Sequence, residues 1–319
     1  MNSHRRLGHT LACRASVLLL LGAFGAACSR DAPPVRVDSA KTGVVTPPDS
    51  IAAVPSSNGW SSLAGPVLLV AGPSADEAIV FLGAAGAGGT APALDTGAVD
   101  QASATLLGRD GTRVAATLEL PAGNDNTECR VWPLRNVHTV SGSGTWSVGF
   151  VSSSVASVPL DSVDALTARD SMALAAEASR LASAVTASTS PTFQGLRFTA
   201  HDIRRFEAAP GVQALAANLT RHVNQEADPK EEQTLLIAER DSGVTSGPYQ
   251  LAYAERSNGN EEEVSTSEVV AAVRFAAAGP LSLVVARDAN DGLAYALLER
   301  TGPRHWVARW TSGLAKCAP

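Results

Sequence analysis

The sequence predicts a β-dominated α+β protein: mostly antiparallel sheets with a C-terminal meander, and one long helix near residues 162–188. Three observations carry that prediction. Short apolar runs alternate with tight-turn residues through the C-terminal third. A central Arg109-Asp110-Gly111 segment sits between two such runs, Ala102 to Leu107 and Thr112 to Leu120, as a hairpin does. One stretch instead places Leu174, Ala178, Leu181 and Val185 at helical spacing.

The chain opens on Arg5, Arg6 and Arg14, followed by the apolar run Ala15 to Ala27 and then Cys28. That run is too short for a helix across a bilayer, which needs roughly 20 residues. A basic start, a short apolar core and small residues before a cut describe a removable signal. Gly25-Ala26-Ala27 leading into Cys28 resembles a bacterial lipoprotein signal. The resemblance implies diacylation of the Cys28 sulfur and acylation of its amino group. Chains of that size hold a protein on a membrane, at about 0.8 kcal/mol per buried methylene. The family usually has Leu where this chain has Gly25, so cutting by ordinary signal peptidase and soluble secretion is the alternative. Ser29 stands where an Asp would favour the inner membrane. The expected site is therefore the cell envelope, at the outer membrane if the cell has one.

Four cysteines are present: Cys13 leaves with the signal, and Cys28, Cys129 and Cys317 remain. With Cys28 lipidated, Cys129 and Cys317 are left as one pair, and exported compartments permit disulfides. Two free buried thiols are the alternative. Removal of residues 1–27 leaves 292 residues with 22 basic and 31 acidic side chains, a net charge of −9. That balance argues against nucleic acid as a partner.

Residues 28–59 read as a Pro/Ser-rich tether, because Asp31-Ala-Pro-Pro-Val, Val45-Thr-Pro-Pro-Asp-Ser and Val54-Pro-Ser-Ser-Asn-Gly cannot bury enough apolar surface to fold. The body divides into an N-terminal β-rich lobe plus helix, 60–190, and a C-terminal antiparallel β lobe, 191–319; a single domain spanning both is the alternative. Val67 to Ala71 and Glu77 to Leu82 read as a first strand pair around Gly72-Pro73-Ser74. Trp146, Val148 and Phe150 alternate as in a strand. The helix takes Ser162 as its cap and Asp164 in its first turn. Val212 to Gln225 fits both periods; the turn signal Asp228-Pro229 before Thr234-Leu-Leu-Ile-Ala favours a strand. Further on, Tyr249–Arg256 and Glu261–Phe275 flank a Ser257–Asn260 turn, Leu281–Arg287 and Leu293–Arg300 flank Asp288–Gly292, and Trp306–Trp310 closes the meander. Ala64-Gly-Pro-Val-Leu-Leu-Val weakly echoes Ala278-Gly-Pro-Leu-Ser-Leu-Val; coincidence is the better reading than duplication.

Chemistry-bearing motifs are sparse. Gly86, Gly88 and Ala91 formally match a dinucleotide fingerprint, but Pro92 denies the helix it needs. Asp288, Asn290 and Glu299 hold three places of a calcium loop, yet Gly292 is one place out, so a hairpin turn is expected. Glu226, Asp228, Glu231 and Glu232 read as a solvated acidic loop, as does Glu261-Glu262-Glu263. His222 and Glu226 suit zinc only on a helix. His138, His201 and His305 are scattered, His201-Asp202 are adjacent and form no relay, and no G-x-S-x-G elbow is present. No catalytic, metal or cofactor residue is assigned. The expected function is a membrane-anchored envelope lipoprotein, a non-catalytic binding or assembly module whose partners are the membrane through Cys28 and an envelope protein or small ligand. An exported hydrolase with an unrecognised site is the alternative.

Overall fold

The computed structural model describes residues 66–83, 99–122, 131–141, 145–151, 155–185, 191–223, 228–241, 247–290 and 292–314. The chain divides into Met1–Ser50 and Ile51–Pro319, and every described residue lies in the second unit. Cys28, Cys129, Cys317, the tether and the Gly86–Ala91 segment lie outside the described residues.

The first six strands are β1 (Leu68–Ala71), β2 (Glu77–Phe81), β3 (Ser103–Leu107), β4 (Arg113–Leu118), β5 (Val131–Ser141) and β6 (Val148–Phe150). They close into an antiparallel barrel in the order β1-β2-β5-β4-β3-β6. The expected strand pair and hairpin are both present: Leu68 pairs with Phe81, and Leu107 with Arg113. The hairpin turn is set locally. Asp110 Oδ1 accepts from the Thr112 amide at 2.9 Å, and Gly111 takes φ +85°, which L side chains rarely adopt. The barrel itself was not foreseen, because closure is a matter of which strands meet. Leu69, Leu106, Val114, Leu118, Trp132 and Trp146 fill its interior. Gly149 closes it. Its partners are Leu69 and Leu106, and a Cβ there would stand 2.6 Å from Leu106 Cδ2.

Two five-stranded antiparallel sheets follow. The short strands β7 (Ala156–Val158) and β8 (Asp161–Ser162) supply one strand to each. The first sheet has the order β12-β11-β10-β9-β8, from β9 (Thr199–Ala209), β10 (Val212–Val223), β11 (Lys230–Asp241) and β12 (Gln250–Asn260). The second has the order β16-β15-β14-β13-β7, from β13 (Thr266–Arg274), β14 (Leu281–Ala289), β15 (Gly292–Gly302) and β16 (His305–Thr311). Val212 to Val223 is thus a strand, as the hairpin signal at Asp228-Pro229 indicated.

Three details differ from expectation. The meander does not run on from Tyr249: β12 ends the first sheet and β13 opens the second, so two meanders stack. The turn between them is not Ser257–Asn260. Pairing with the long β11 carries β12 to Asn260, and Glu261–Glu263 make the turn. Finally, Ser162 does not cap the long helix. It caps a 3-10 turn, Val163–Ala165, through the Asp164 amide at 3.2 Å. The helix α1 (Ala168–Val185) starts at Thr167, whose hydroxyl accepts from the Asp170 amide and donates to the Asp170 carboxylate at 2.8 Å.

The layers explain the composition of the strands. Phe206, Ala214, Ala216, Leu235 and Ile237 of the first sheet meet Leu281, Leu283, Val285, Leu298 and Trp306 of the second. The second sheet's other face, with Val273, Val284, Tyr295 and Leu297, meets Leu68, Val70, Phe81 and Phe150 on the outside of the barrel. The first sheet's other face takes Ala178, Leu181 and Ala182 of α1 against Leu215, Leu219 and Leu236. Each sheet is therefore buried on both faces, which requires runs such as Thr234-Leu-Leu-Ile-Ala instead of strict alternation. Ala64-Gly-Pro and Ala278-Gly-Pro precede β1 of the barrel and β14 of the second sheet, which are not equivalent positions.

Candidate binding cleft

Buried charge in this body is held in arginine–carboxylate pairs. Between the sheets, Glu239 is 2% exposed and accepts from Arg300 Nε and Nη2 at 2.9 Å each, from Trp306 Nε1 at 2.7 Å and from the Arg304 amide at 3.0 Å. Burial pushes its carboxyl up, but these donors outweigh burial and hold it below its ordinary value. Nearer the sheet end, Arg287 donates to both oxygens of Glu255 at 3.2 and 2.6 Å, and the Tyr253 hydroxyl donates to Glu255 Oε2 at 2.7 Å. Burial opposes ionisation of Glu255 too; its bonds from Arg287, Ser267 and Tyr253 prevail and lower it. Burial, then the Glu255 charge, pushes the Tyr253 hydroxyl upward. On the helix side, Arg221 donates to Glu232 Oε2 at 2.8 Å and to the Phe193 carbonyl at 2.8 Å, with Phe198 stacked 4.6 Å from its guanidinium carbon.

Of the residues singled out in the sequence, His222 and Glu231 meet across the β10–β11 pair, and the others stand apart. His138 is exposed on β5. His201 contacts the Thr220 hydroxyl, His222 Nδ1 lies 3.1 Å from Glu231, and His305 contacts Thr301 at 2.5 Å. His222 is on a strand, so the helical zinc spacing toward Glu226 does not arise, and Glu226 is outside the described residues. Asp288 pairs with Leu293 at a hairpin end, whereas Glu299 pairs with Ser282 and meets Arg309 at 3.2 Å, so no calcium loop forms. Asp228 meets Lys230 at 3.1 Å. Among the described residues, no group of three or more His, Cys, Asp and Glu side chains is placed to hold a metal ion.

Among the described residues three clefts border the first sheet, one of them, about 880 Å³, lying between α1 and β10 and lined by Ser179, Arg180, Gln194, Arg197 and Arg221; the other two are smaller. One, about 380 Å³, is lined by Gln233, Ser257, Ser265, Ser267 and the Glu255–Arg287 pair. The other, about 540 Å³, lies at the β9–β10 turn and is lined by Asp161, Arg205, Phe206, Glu207, Val212, Gln213 and Tyr249. Register places Arg205, Gln213 and Arg240 on one face, since Arg205 pairs with Leu215 and Gln213 with Arg240. Arg240 donates to Gln213 Oε1 from Nε at 3.1 Å and Nη2 at 2.7 Å. Its guanidinium carbon sits 4.5 Å from the centre of the Tyr249 ring. Tyr249 is 3% exposed, and its hydroxyl and Arg205 Nε are buried without a hydrogen-bond partner. Burial raises the Tyr249 hydroxyl, while the charges of Arg240 and Arg205 pull the other way. No local sequence signal announces this constellation. Its four residues are spread over 45 positions of chain, and only strand register gathers them.

Comparison of the chain with protein-family models, curated proteins and solved structures found no match. Among the described residues, no helix is long and apolar enough to cross a membrane.

Proposed function

We propose that this chain is an envelope lipoprotein, held on a membrane through lipid at Cys28, whose β-rich body serves as a non-catalytic binding or assembly module. The observation that carries the binding half is the use of charge. The most buried carboxylates, Glu232 and Glu239, are each engaged by an arginine and are spent on holding strands together. The cleft at the β9–β10 turn, by contrast, is lined by Arg205, Gln213 and Tyr249 together with Pro159 and Val212, a mixture of polar and apolar groups that a binding site uses. The anchoring half rests on the segment from Arg5 to Cys28, and a Cys129–Cys317 disulfide in the oxidising compartment belongs to the same proposal.

The test screens purified protein against ester, peptide, glycan and phosphate substrates, with and without zinc or calcium. No turnover is expected, and His138→Ala, His201→Ala, His222→Ala and His305→Ala each leave physiological function intact. Turnover that disappears with one of those histidines replaces the binding reading with an exported hydrolase.

A further inference from the structure

We propose that the cleft between α1 and β10 binds a phosphomonoester, with Arg180, Gln194 and Arg197 as the donors to its phosphate. This rests on the binding reading above and adds to it a second site with a stated ligand class.

Three observations converge on this one cleft. The first is charge. Arg180 of α1, Arg197 and Arg221 of β10 all line it, and among the described residues no Asp or Glu does. The chain as a whole is acidic, with 31 carboxylates against 25 basic side chains. Yet from Ala178 to His201 it has no Asp or Glu. The stretch of chain that supplies most of the lining therefore brings no carboxylate to it. A concave surface of one sign concentrates ligands of the other.

The second is the division of roles among the arginines. Arg221 is used within the protein. It is 5% exposed, donates to Glu232 at 2.8 Å and to the Phe193 carbonyl at 2.8 Å, and lies over the Phe193 and Phe198 rings. Ser179 Oγ of α1 reaches the Phe198 carbonyl at 3.1 Å. These bonds tie residues 193–198 to the sheet and to the helix, so one wall of the cleft is fixed before any ligand arrives. Arg180 gives Nε and Nη2 to Glu177, at 2.9 and 2.8 Å, which leaves Nη1 over. Arg197 and Gln194 are exposed, and among the described residues their side chains have no hydrogen-bond or ion-pair partner. The donors left to a ligand are thus one whole guanidinium, part of a second and an amide. A carboxylate offers two oxygens and one charge, and Glu177 already does that for Arg180. A phosphomonoester offers three oxygens and a charge of about −1.5 to −2, which answers this larger set.

The third is space. The cleft is the largest of the three, at about 880 Å³, and holds a small organic molecule. Pro191, Leu196 and Phe198 give it an apolar wall beside the donors, against which the group carrying the phosphate rests. A soluble phosphate ester and a phospholipid head share this chemistry, and the experiment separates them.

The experiment is calorimetric titration of the full chain with phenyl phosphate, dihexanoyl phosphatidic acid, benzoate and benzyl alcohol. Saturable one-to-one binding of one or both phosphates is expected, and whichever binds more tightly identifies the source. Benzoate and benzyl alcohol should each bind at least about tenfold more weakly, since one lacks the third oxygen and second charge and the other all charge. Arg197→Gln and Arg180→Gln should each weaken the phosphate about tenfold or more. Arg197 is exposed, so its variant should keep the wild-type melting temperature. Affinity should also fall as pH drops below about 6, where the phosphate loses its second charge while the arginines keep theirs. Arg135→Gln, on the exposed barrel surface, serves as the unaffected control. No saturable binding of either phosphate overturns the site, as does wild-type affinity in Arg197→Gln or benzoate matching phenyl phosphate. Those results with a silent substrate screen remove this site alone; turnover in the screen removes the binding reading whatever this cleft takes up.

Discussion

Glu239→Gln tests the reasoning about buried charge most directly. The change keeps the shape of the side chain and removes its charge. In the wild type, four donors point at the carboxylate: two from Arg300, the Trp306 indole and the Arg304 amide. A glutamine turns its own NH₂ toward some of them and leaves the Arg300 guanidinium, with a side chain only 13% exposed, without a counter-charge. Breaking a buried pair in this way costs about 3–5 kcal/mol. At roughly 2–4 °C per kcal/mol for a body of this size, the melting temperature should fall by roughly 10 °C. Urea unfolding followed by tryptophan fluorescence reads the effect, because Trp306 is itself a donor to Glu239. The double variant Glu239→Leu with Arg300→Leu should be less destabilised than the single changes sum to, since neither charge is then stranded. A pH series adds a sign. The folded carboxyl lies below its ordinary value of 4.5, so its contribution is present above that value and is lost as pH falls through the folded one. The gap between wild type and Glu239→Gln should therefore narrow below about pH 4.5. A loss under about 1 kcal/mol at pH 7, or a gap that widens in acid, would refute the account.

Other outcomes follow from the same structure. Phe150→Ala, at a fully buried position where the barrel meets the second sheet, should cost about 3–5 kcal/mol in the same unfolding assay. Gly149→Ala should destabilise the barrel, because its Cβ meets Leu106 and the Thr105 carbonyl; Leu106→Ala in the same chain should relieve part of the clash, and additive losses would contradict that. Metabolic labelling with a fatty-acid analogue should tag the wild type and not Cys28→Ala; equal labelling removes the lipid anchor. Non-reducing peptide mapping should recover a Cys129–Cys317 peptide, and two thiols alkylatable in the native protein would exclude the pair.

Local signals were legible in the chain. Arg109-Asp110-Gly111 contains its own turn chemistry, so the hairpin needs no help from distant residues. The helical spacing of Leu174, Ala178 and Leu181 likewise located α1 near its true place, although Thr167 and not Ser162 caps it, because both hydroxyls precede helical turns and only backbone geometry separates a 3-10 turn from the helix. Asp228-Pro229 read β10 correctly as a strand where periodicity alone was divided. Acidity and the sparsity of recognisable motifs are compositional, and a chain carries composition without folding.

What tertiary structure decided was assembly. Nothing near Gly149 announces that β6 closes a barrel, since closure depends on β1 and β3 arriving from elsewhere in the chain. The break between β12 and β13 was equally hidden: the same turn residues serve a meander within one sheet and a crossing between two. Glu239 and Arg300 are 61 positions apart and meet because two sheets stack. Arg205, Gln213, Arg240 and Tyr249 lie on a strand pair, its neighbour and the start of the next, and each is unremarkable in its own segment. Strand register puts them on one face, and burial there leaves the Tyr249 hydroxyl and Arg205 Nε without hydrogen-bond partners, which is costly. A sequence shows which groups exist; their desolvation, and hence their chemistry, is a property of the folded arrangement.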